Sequence, residues 1–515
     1  MTRRVSTRWT VGFVMPLTIA LLATLALAQT QTAPAQATPR AVAPAPPAPS
    51  LPYPIAPLTF AGPYDSTFRV ELYDRLRGEI VDWFGTPQDG NTRDFRYDFV
   101  GNKFQLGLRW TLDAYEAFVQ FQDSTLGDVP DMGIGIGQTY YLNTRSVTQN
   151  GAFLRQGWAS GKNLFGSGVS VKAGRQLYLN GAEFAPTAPN LKWIQAWRIG
   201  QRLLGPFDYT HVGRSFDGGQ IAWDNELLNV TGFGFVPTYG GFEVDAMREL
   251  DITLGGLSVN LKDAPQVGPT LASLFWIYYG DDRDVLFVDN RPLPVREADR
   301  GKPANLHTVG ANVVRLFPAG PGLIDAFAYG YGQFGDYQSL DQLAWAYGAE
   351  LGYRLMEVPS KPWMRLGINS GSGDTDPLDD DHGTFFQMLP TAWLYAQFPF
   401  YNMMNNQDVF VQTILEPHPM FSARFDFHWL MLNASQDLAY FGGGATKNDF
   451  FGFGGVNGMG RNQLAYLAHM MLTVRPTANL TLNAFYAHAW GQGVINQAFV
   501  GRDANYCFLE AIVAF

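Results

Sequence analysis

Residues 343–355 read LAWAYGAELGYRL. Leu343, Trp345, Tyr347, Ala349, Leu351, Tyr353 and Leu355 take every second place, and only Glu350 and Arg354 among the intervening residues are large. A period of two puts the two sets on opposite faces of an extended strand. The same period recurs on both sides of this stretch. In 68–77, Phe68, Val70, Leu72 and Leu76 share one face, and Arg69, Glu71, Tyr73, Arg75 and Arg77 share the other. In 104–112, Phe104, Leu106, Leu108, Trp110 and Leu112 alternate with Gln105, Gly107, Arg109 and Thr111. In 421–429, Phe421, Ala423, Phe425, Phe427 and Trp429 alternate with Ser422, Arg424, Asp426 and His428. One apolar face and one charged face is what a transmembrane β-barrel needs, with lipid outside and water inside.

Composition agrees. Of 515 residues 46% are hydrophobic and 14% aromatic, yet the mean hydropathy is only -0.08. Beyond the first 28 residues no segment approaches the apolar length of a membrane helix. Alternating faces reconcile these facts. A single cysteine, Cys507, excludes an internal disulfide and a cysteine-based zinc cluster. A net charge of -10 argues against nucleic acid as a partner.

Strand-like runs number about 18, among them 208–223 and 248–261. Every second connection is short: Leu112-Asp113, "DNE", "PAGPG", "EVPS", "EPHP", "PTA". The others are mostly long: 125–149, 178–207, 281–305, 371–404 and 435–461. Short periplasmic turns alternating with long extracellular loops are the layout of an all-β, antiparallel outer-membrane barrel. The even count puts both ends on the periplasmic side.

The ends fit this reading. Arg3, Arg4 and Arg8 precede an apolar run from Val11 to Ala28, and Ala26 and Ala28 supply a small-x-small cleavage site, so 1–28 reads as a signal peptide. Residues 29–60, rich in Pro and Ala, read as an extended periplasmic leader. The barrel then takes 61–515. Its last strand, 503–515, ends on Phe515, which resembles the signal that the bacterial barrel-assembly machinery reads.

The inward faces carry the chemistry. Only eight of the 36 basic residues are lysine. Arg69, Arg75, Arg77, Arg109, Arg354, Arg365 and Arg424 fall on polar faces, with Arg155 beside them on a less regular strand. Glu71, Glu116, Glu350 and Asp426 accompany them. Guanidinium grips carboxylate or phosphate with two prongs and stays charged. Two readings compete: a neutralised ladder that keeps a lumen wet, and a series of weak docking sites for a polyanion. The loop "GSGDTDPLDDDHGTFFQMLPT" (371–391) holds Asp374, Asp376, Asp379, Asp380 and Asp381, oxygen ligands at a spacing that would suit Ca²⁺. It lacks the glycine and closing glutamate of an EF-hand, and a solvated acidic loop is the competing reading. Ser422 and His428 lie six residues apart on one strand, too far for a nucleophile–base pair, so no enzyme is expected.

Four stretches carry a family resemblance: "FRVELYDRLRG", "KAGRQLYLNG", "GRSFDGG" and "SGSGDTDPLDDDHGTFFQMLPT". Together they resemble the alginate export porins, from about Phe68 to Phe515. The resemblance implies export of an anionic polyuronate through an arginine-lined constriction gated by loops or turns. By motif it sets Arg69, Arg75, Arg155, Arg175 and Arg214 among the pore residues, with Asp217 next to Arg214 in the third stretch. The chain departs from the family after Thr391: Ala392-Trp393 replaces a polar pair, and Phe398-Pro399-Phe400 stands where Gly and Asp are usual. The expectation is a porin for an anionic or polar solute, such as an acidic polysaccharide. The alternatives are an uptake channel for small solutes, with the loop aromatics as an entry platform, and a non-conducting adhesive or structural barrel.

Overall fold

The computed structural model describes residues 56–90 and 93–515. The expected signal peptide, 1–28, and nearly all of the expected leader lie outside the described residues. Eighteen long strands follow in order: β1 (Thr67–Asp82), β2 (Arg96–Leu112), β3 (Tyr115–Gly127), β4 (Gln149–Leu164), β5 (Val169–Gln176), β6 (Phe216–Asp224), β7 (Leu228–Pro237), β8 (Ile252–Leu261), β9 (Thr270–Asp281), β10 (Ala304–Ala319), β11 (Gly322–Tyr337), β12 (Leu340–Leu355), β13 (Trp363–Gly371), β14 (Gln407–His418), β15 (Phe421–Met431), β16 (Gln463–Val474), β17 (Leu480–Gly491) and β18 (Asp503–Ala514). Each pairs antiparallel with the next. β18 returns onto β1, from Tyr73↔Ala514 to Asp82↔Asn505, and closes the barrel.

β1 begins six residues before its pairing with β18 starts, which would leave its first residues with an open edge. The short strand Thr59–Ala61 pairs there, Phe60 opposite Phe68 with their rings stacked. Three residues of the chain assigned to the leader or its boundary thus complete the seam. An uncovered edge is costly in hydrocarbon, where no water can satisfy it.

Facing follows the alternation. On β12 Leu343, Trp345, Tyr347 and Leu351 are exposed outward, while Glu350 is buried inward. Trp276, Phe334, Trp345, Trp429 and Trp490 stand on the outer face a few residues from the long-loop end, as an aromatic girdle does at a membrane interface. Strand β4 breaks the alternation. Gln120 pairs with Gln156 and Phe121 with Leu154, so Arg155 is an extra residue in a β-bulge. The bulge aims Arg155 into the lumen and explains why its strand reads irregularly.

The turns at the periplasmic end are short; Leu112 and Tyr115 are joined by two residues, with Asp113 at φ 48°. The long-loop end contains one tight hairpin, between β11 and β12 at Gln338-Ser339, where sequence alternation predicts a longer loop. Two expected strands start late, at Phe216 and Ile252. Residues 208–215 are drawn into the lumen instead, and Leu250 turns back to donate to the Pro237 carbonyl.

Leu351 is half exposed on the lipid face of β12, four residues from its periplasmic end at Leu355. Leu351→Arg is expected to destabilise the barrel by about 2–4 kcal/mol. Urea refolding into lipid vesicles, followed by heat-modifiable migration on gels, should show reduced folded yield; a wild-type midpoint would refute the facing.

Candidate functional site

Two loops enter the barrel from the long-loop end. The first joins β5 to β6 (177–215) and carries the helix α1 (Pro189–Ile194), extended by a π turn at Gln195–Ile199. The second joins β13 to β14 (372–406). They meet through a parallel bridge, Leu204 with Leu389, and Leu389 N–H donates to the Leu203 carbonyl at 2.9 Å. Their apolar residues pack on inward side chains of the wall. Trp393 lies flat on Tyr209 at 4.8 Å and against Phe485, Tyr506 and Phe508. Phe398 and Phe400 contact Trp83 and Phe84. The departure from the family pattern after Thr391 is therefore a packing feature. Its aromatics are buried in the lumen, not displayed as an entry platform.

The wall arginines hold the first loop. Arg75 donates to the carbonyls of Asp208 (3.0 Å) and Thr210 (2.6 Å), and Arg77 to that of Tyr209 (2.8 Å). Arg155 and Lys103 close on the Asp208 carboxylate at 2.7 and 3.2 Å. Enclosure in the lumen would raise that carboxyl, but Arg155 and Lys103 outweigh it and hold it below the usual carboxylate range. His211 bonds Glu79 at 2.7 Å, and Tyr506 donates to the same carboxylate. Gly101 is required beneath it, because a Cβ there would lie 2.3 Å from the His211 ring. Glu510 neutralises Arg77 at 2.5 Å and lies 3.6 Å from Arg75.

A second network lies across the barrel. Glu350 receives Arg198 from the first loop at 2.7 Å and Arg365 from β13 at 3.0 Å; Arg365 also pairs with Asp325 at 2.8 Å. Arg202 stacks over Tyr395 at 3.8 Å, tying the loops together. Arg354 pairs with Glu416 and donates to Asn190, and Arg424 grips Asp426.

At the periplasmic mouth the arginines are more open. Arg109 bridges Glu71 (2.7 Å) and Glu116, with its guanidinium over Phe118 at 4.3 Å. Arg69, half exposed, reaches Glu71 only at 3.7 Å. A cavity of about 300 Å³ opens there, lined by Arg69, Glu71, Tyr73 and Gln120 among others.

Most of the expected lumen residues do face inward: Arg69, Glu71, Arg75, Arg77, Arg109, Arg155, Glu350, Arg354, Arg365, Arg424 and Asp426. Arg175 and Asp217 do not. They share outward parity with Val171, Ile221 and Trp223 and form a 2.5 Å pair on the outer face, where Arg175 also donates to the Met247 carbonyl. Their strands are short and paired in register, so neither side chain can turn inward. Arg214 is buried between loops, donates to the Gly443 carbonyl at 2.8 Å, and is pulled down to about 9 by burial. Lys103, Arg198, Arg202 and Asp208 were not expected. Lys103 shares the inward parity of Arg109 and was legible; the three loop residues carry no periodic signal.

The acidic loop does not converge. Asp374 and Asp376 accept backbone N–H groups of Asp376 and Leu378, and Asp379 that of Asp381, each closing a local turn. Asp374 is instead buried beside Asp437, whose carboxylate accepts the Asp374 N–H (2.9 Å), the Thr384 hydroxyl (2.6 Å) and the Tyr440 hydroxyl (2.8 Å). Burial pushes Asp374 up to about 7, with Asp437 adding to it, and burial pushes Asp437 up to about 6.

A closed barrel with an arginine-lined lumen and inserted loops defines an outer-membrane porin. The alginate export family matches residues 87–464, and the chain belongs to that family. No curated protein sequence matches it significantly. Solved structures with the same fold include OccAB2 of Acinetobacter baumannii (TM-score 0.55, 13% identity), covering 87% of this chain and 98% of that one. OpdK of Pseudomonas aeruginosa, solved with vanillate, matches at 0.53 and 12%, with coverage of 87% and 98%. A BenF-like porin of Pseudomonas fluorescens Pf-5 matches at 0.52 and 12%, covering 87% and 99%.

Asp208→Asn is expected to weaken the grip of Arg155 and Lys103 by about 1.5–3 kcal/mol, the usual contribution of a charged hydrogen bond. Amide exchange over 206–213 should accelerate while the barrel strands stay protected; uniform protection would show that the clamp does not hold the loop. Raised carboxyl pKa values favour the loop contact at low pH. It is complete below about 4, where the unfolded groups titrate, and is lost as pH rises through 6 to 7. Exchange over 372–384, corrected for intrinsic rate, should be faster at pH 8 than at pH 5. Asp374→Asn should remove most of that difference, and a pH-independent wild type would contradict the assignment.

Proposed function

We propose that this porin conducts an acidic polysaccharide outward, in an anion-preferring path that opens when the two loops shift. The observation that carries the reading is the gradation of arginine environments along the lumen. Arg69 at the periplasmic mouth lines open space and reaches Glu71 only at 3.7 Å, while Arg109 beside it is held by Glu71 and Glu116. Deeper in, Arg155 and Lys103 already hold a carboxylate, that of Asp208. A uronate carboxylate offers the same group in the same charge state. It would meet the mouth arginines first and then compete with Asp208 for the clamp. Weak, repeated, exchangeable carboxylate sites suit conduction better than one tight site.

The substrate path on this reading runs past Arg69, Glu71 and Arg109 to Arg75, Arg77 and Arg155, with Glu350, Arg354, Arg365, Arg424 and Asp426 on the opposite wall. Arg175, Arg214 and Asp217 stand off it. Family membership supports the polymer class. The dense packing of both loops favours one other reading, a barrel that does not conduct and presents its loops as a binding surface.

Planar-bilayer recording of the refolded barrel under a salt gradient distinguishes them. Anion-selective steps that polyuronate blocks from the periplasmic face are the expected result. Replacing Arg69 and Arg109 together with Gln should shift the reversal potential toward zero and weaken polymer block about tenfold, roughly 1.4 kcal/mol. Steps indifferent to polyuronate would refute the substrate class, and a folded barrel without steps would support the non-conducting reading.

A further inference from the structure

Strands β14, β15 and β16 bring together four groups that neither the loop clamp nor the mouth uses. Asp426 and His428 lie two apart on the inward face of β15, and the register sets His469 of β16 opposite Asp426. His428 Nδ1 lies 2.8 Å from Asp408 Oδ1. Its Nε2 points into the cluster, 3.9 Å from Asp426 Oδ2, and has no hydrogen-bond partner. His469 Nε2 lies 3.6 Å from the same oxygen. All four side chains are buried.

We propose that Asp426, His428 and His469 form a binding site for a divalent transition metal of the zinc class. The donor set is two imidazoles and one carboxylate, a familiar three-ligand combination that leaves a fourth position open. Metal–ligand bonds of about 2.0–2.2 Å place neighbouring donors of a tetrahedral site roughly 3.3–3.6 Å apart. The separations of 3.9 and 3.6 Å lie near that range, and all three donor atoms fall within 4.8 Å of one another. Asp408 supplies the outer support: by accepting Nδ1–H it fixes the tautomer that presents the Nε2 lone pair to the cation. Charge is also favourable. With neutral imidazoles, Asp408 and Asp426 outnumber the one adjacent guanidinium, Arg424, whose bonds to Asp426 Oδ2, with that of Gln412, loosen when the metal binds. Arg198, the next cation, is compensated by Glu350.

The site touches the second loop. His469 Nε2 accepts the Gln397 N–H at 3.2 Å, and that lone pair cannot also bind a metal. Loading therefore releases Gln397 and the inserted segment around it. Because the cluster is buried, entry requires loop movement or occurs while the barrel folds.

Co²⁺ is the probe. The full barrel is refolded from chelator-treated, unfolded protein in the presence of Co²⁺, and excess is removed by dialysis. One Co²⁺ per chain is expected, with the visible absorption of a four- or five-coordinate imidazole site, bleached by Zn²⁺. His428→Gln and His469→Gln should each abolish it, whereas Asp379→Asn in the acidic loop should leave it unchanged. Amide exchange around 395–399 should rise on loading. Less than stoichiometric Co²⁺, a six-coordinate oxygen-type spectrum, or full retention in both folded histidine variants would overturn the site. Should the variants fail to fold, the wild-type spectrum and stoichiometry decide alone.

Discussion

Hydrocarbon offers a peptide no hydrogen-bond partner, so every N–H and C=O at membrane depth must be satisfied by another strand. The closure of β18 onto β1 meets that demand, and the rest of the molecule depends on it. Closure leaves no free edge, fixes the register all round, and thereby decides which side chains see lipid and which see the lumen. The alternation of 343–355 is the sequence trace of this constraint. So is the small strand at Thr59–Ala61, which sits where β18 has run out and the first residues of β1 would otherwise be unpaired. One face of each strand is then free to carry charge only because the other is committed to lipid.

Inside, a second cost dominates. A guanidinium out of bulk water must be paired or it loses several kcal/mol of hydration. The wall supplies some partners, such as Glu510 for Arg77 and Asp325 for Arg365. The inserted loops supply the others: the Asp208 carboxylate and the backbone carbonyls of 208–210. Charge on the wall and the path of the loop are thus mutually determined. A loop placed by such contacts differs from one held by apolar packing alone. On the proposed reading its partners can be exchanged for a ligand that brings an equivalent oxygen, so the same groups would close the lumen and select what opens it.

The strand order, the facing and most of the inward charges were legible in the sequence because a period of two is a local signal. Leu351 and Glu350 could be placed by counting. What failed were features with no period. Arg175 and Asp217 came from motif alone, although their parity with Ile221 and Trp223 pointed outward. Residues 208–215 have the composition of a strand, but four cationic side chains from three other strands pull them inward. Arg198, Arg202 and Asp208 acquire partners only once distant strands are side by side. The grouping of Asp426 with His469 likewise depends on register between strands more than 30 residues apart in the chain.

The division of the lumen sharpens the functional argument. Arginines paired between the wall and the inserted loops admit no solute while those pairs hold. The proposed polymer of carboxylates would exchange with them. On the proposed reading the resting lumen is sealed by groups that imitate the cargo, and a chain presenting carboxylates in succession displaces them one at a time. Each exchange is nearly neutral, since one carboxylate leaves the guanidinium as another arrives. On the proposed reading, neutral exchange allows passage without a deep trap: one carboxylate suffices to meet Arg155 and Lys103, and a polymer differs from a small monoanion in engaging Arg69 and that clamp at the same time.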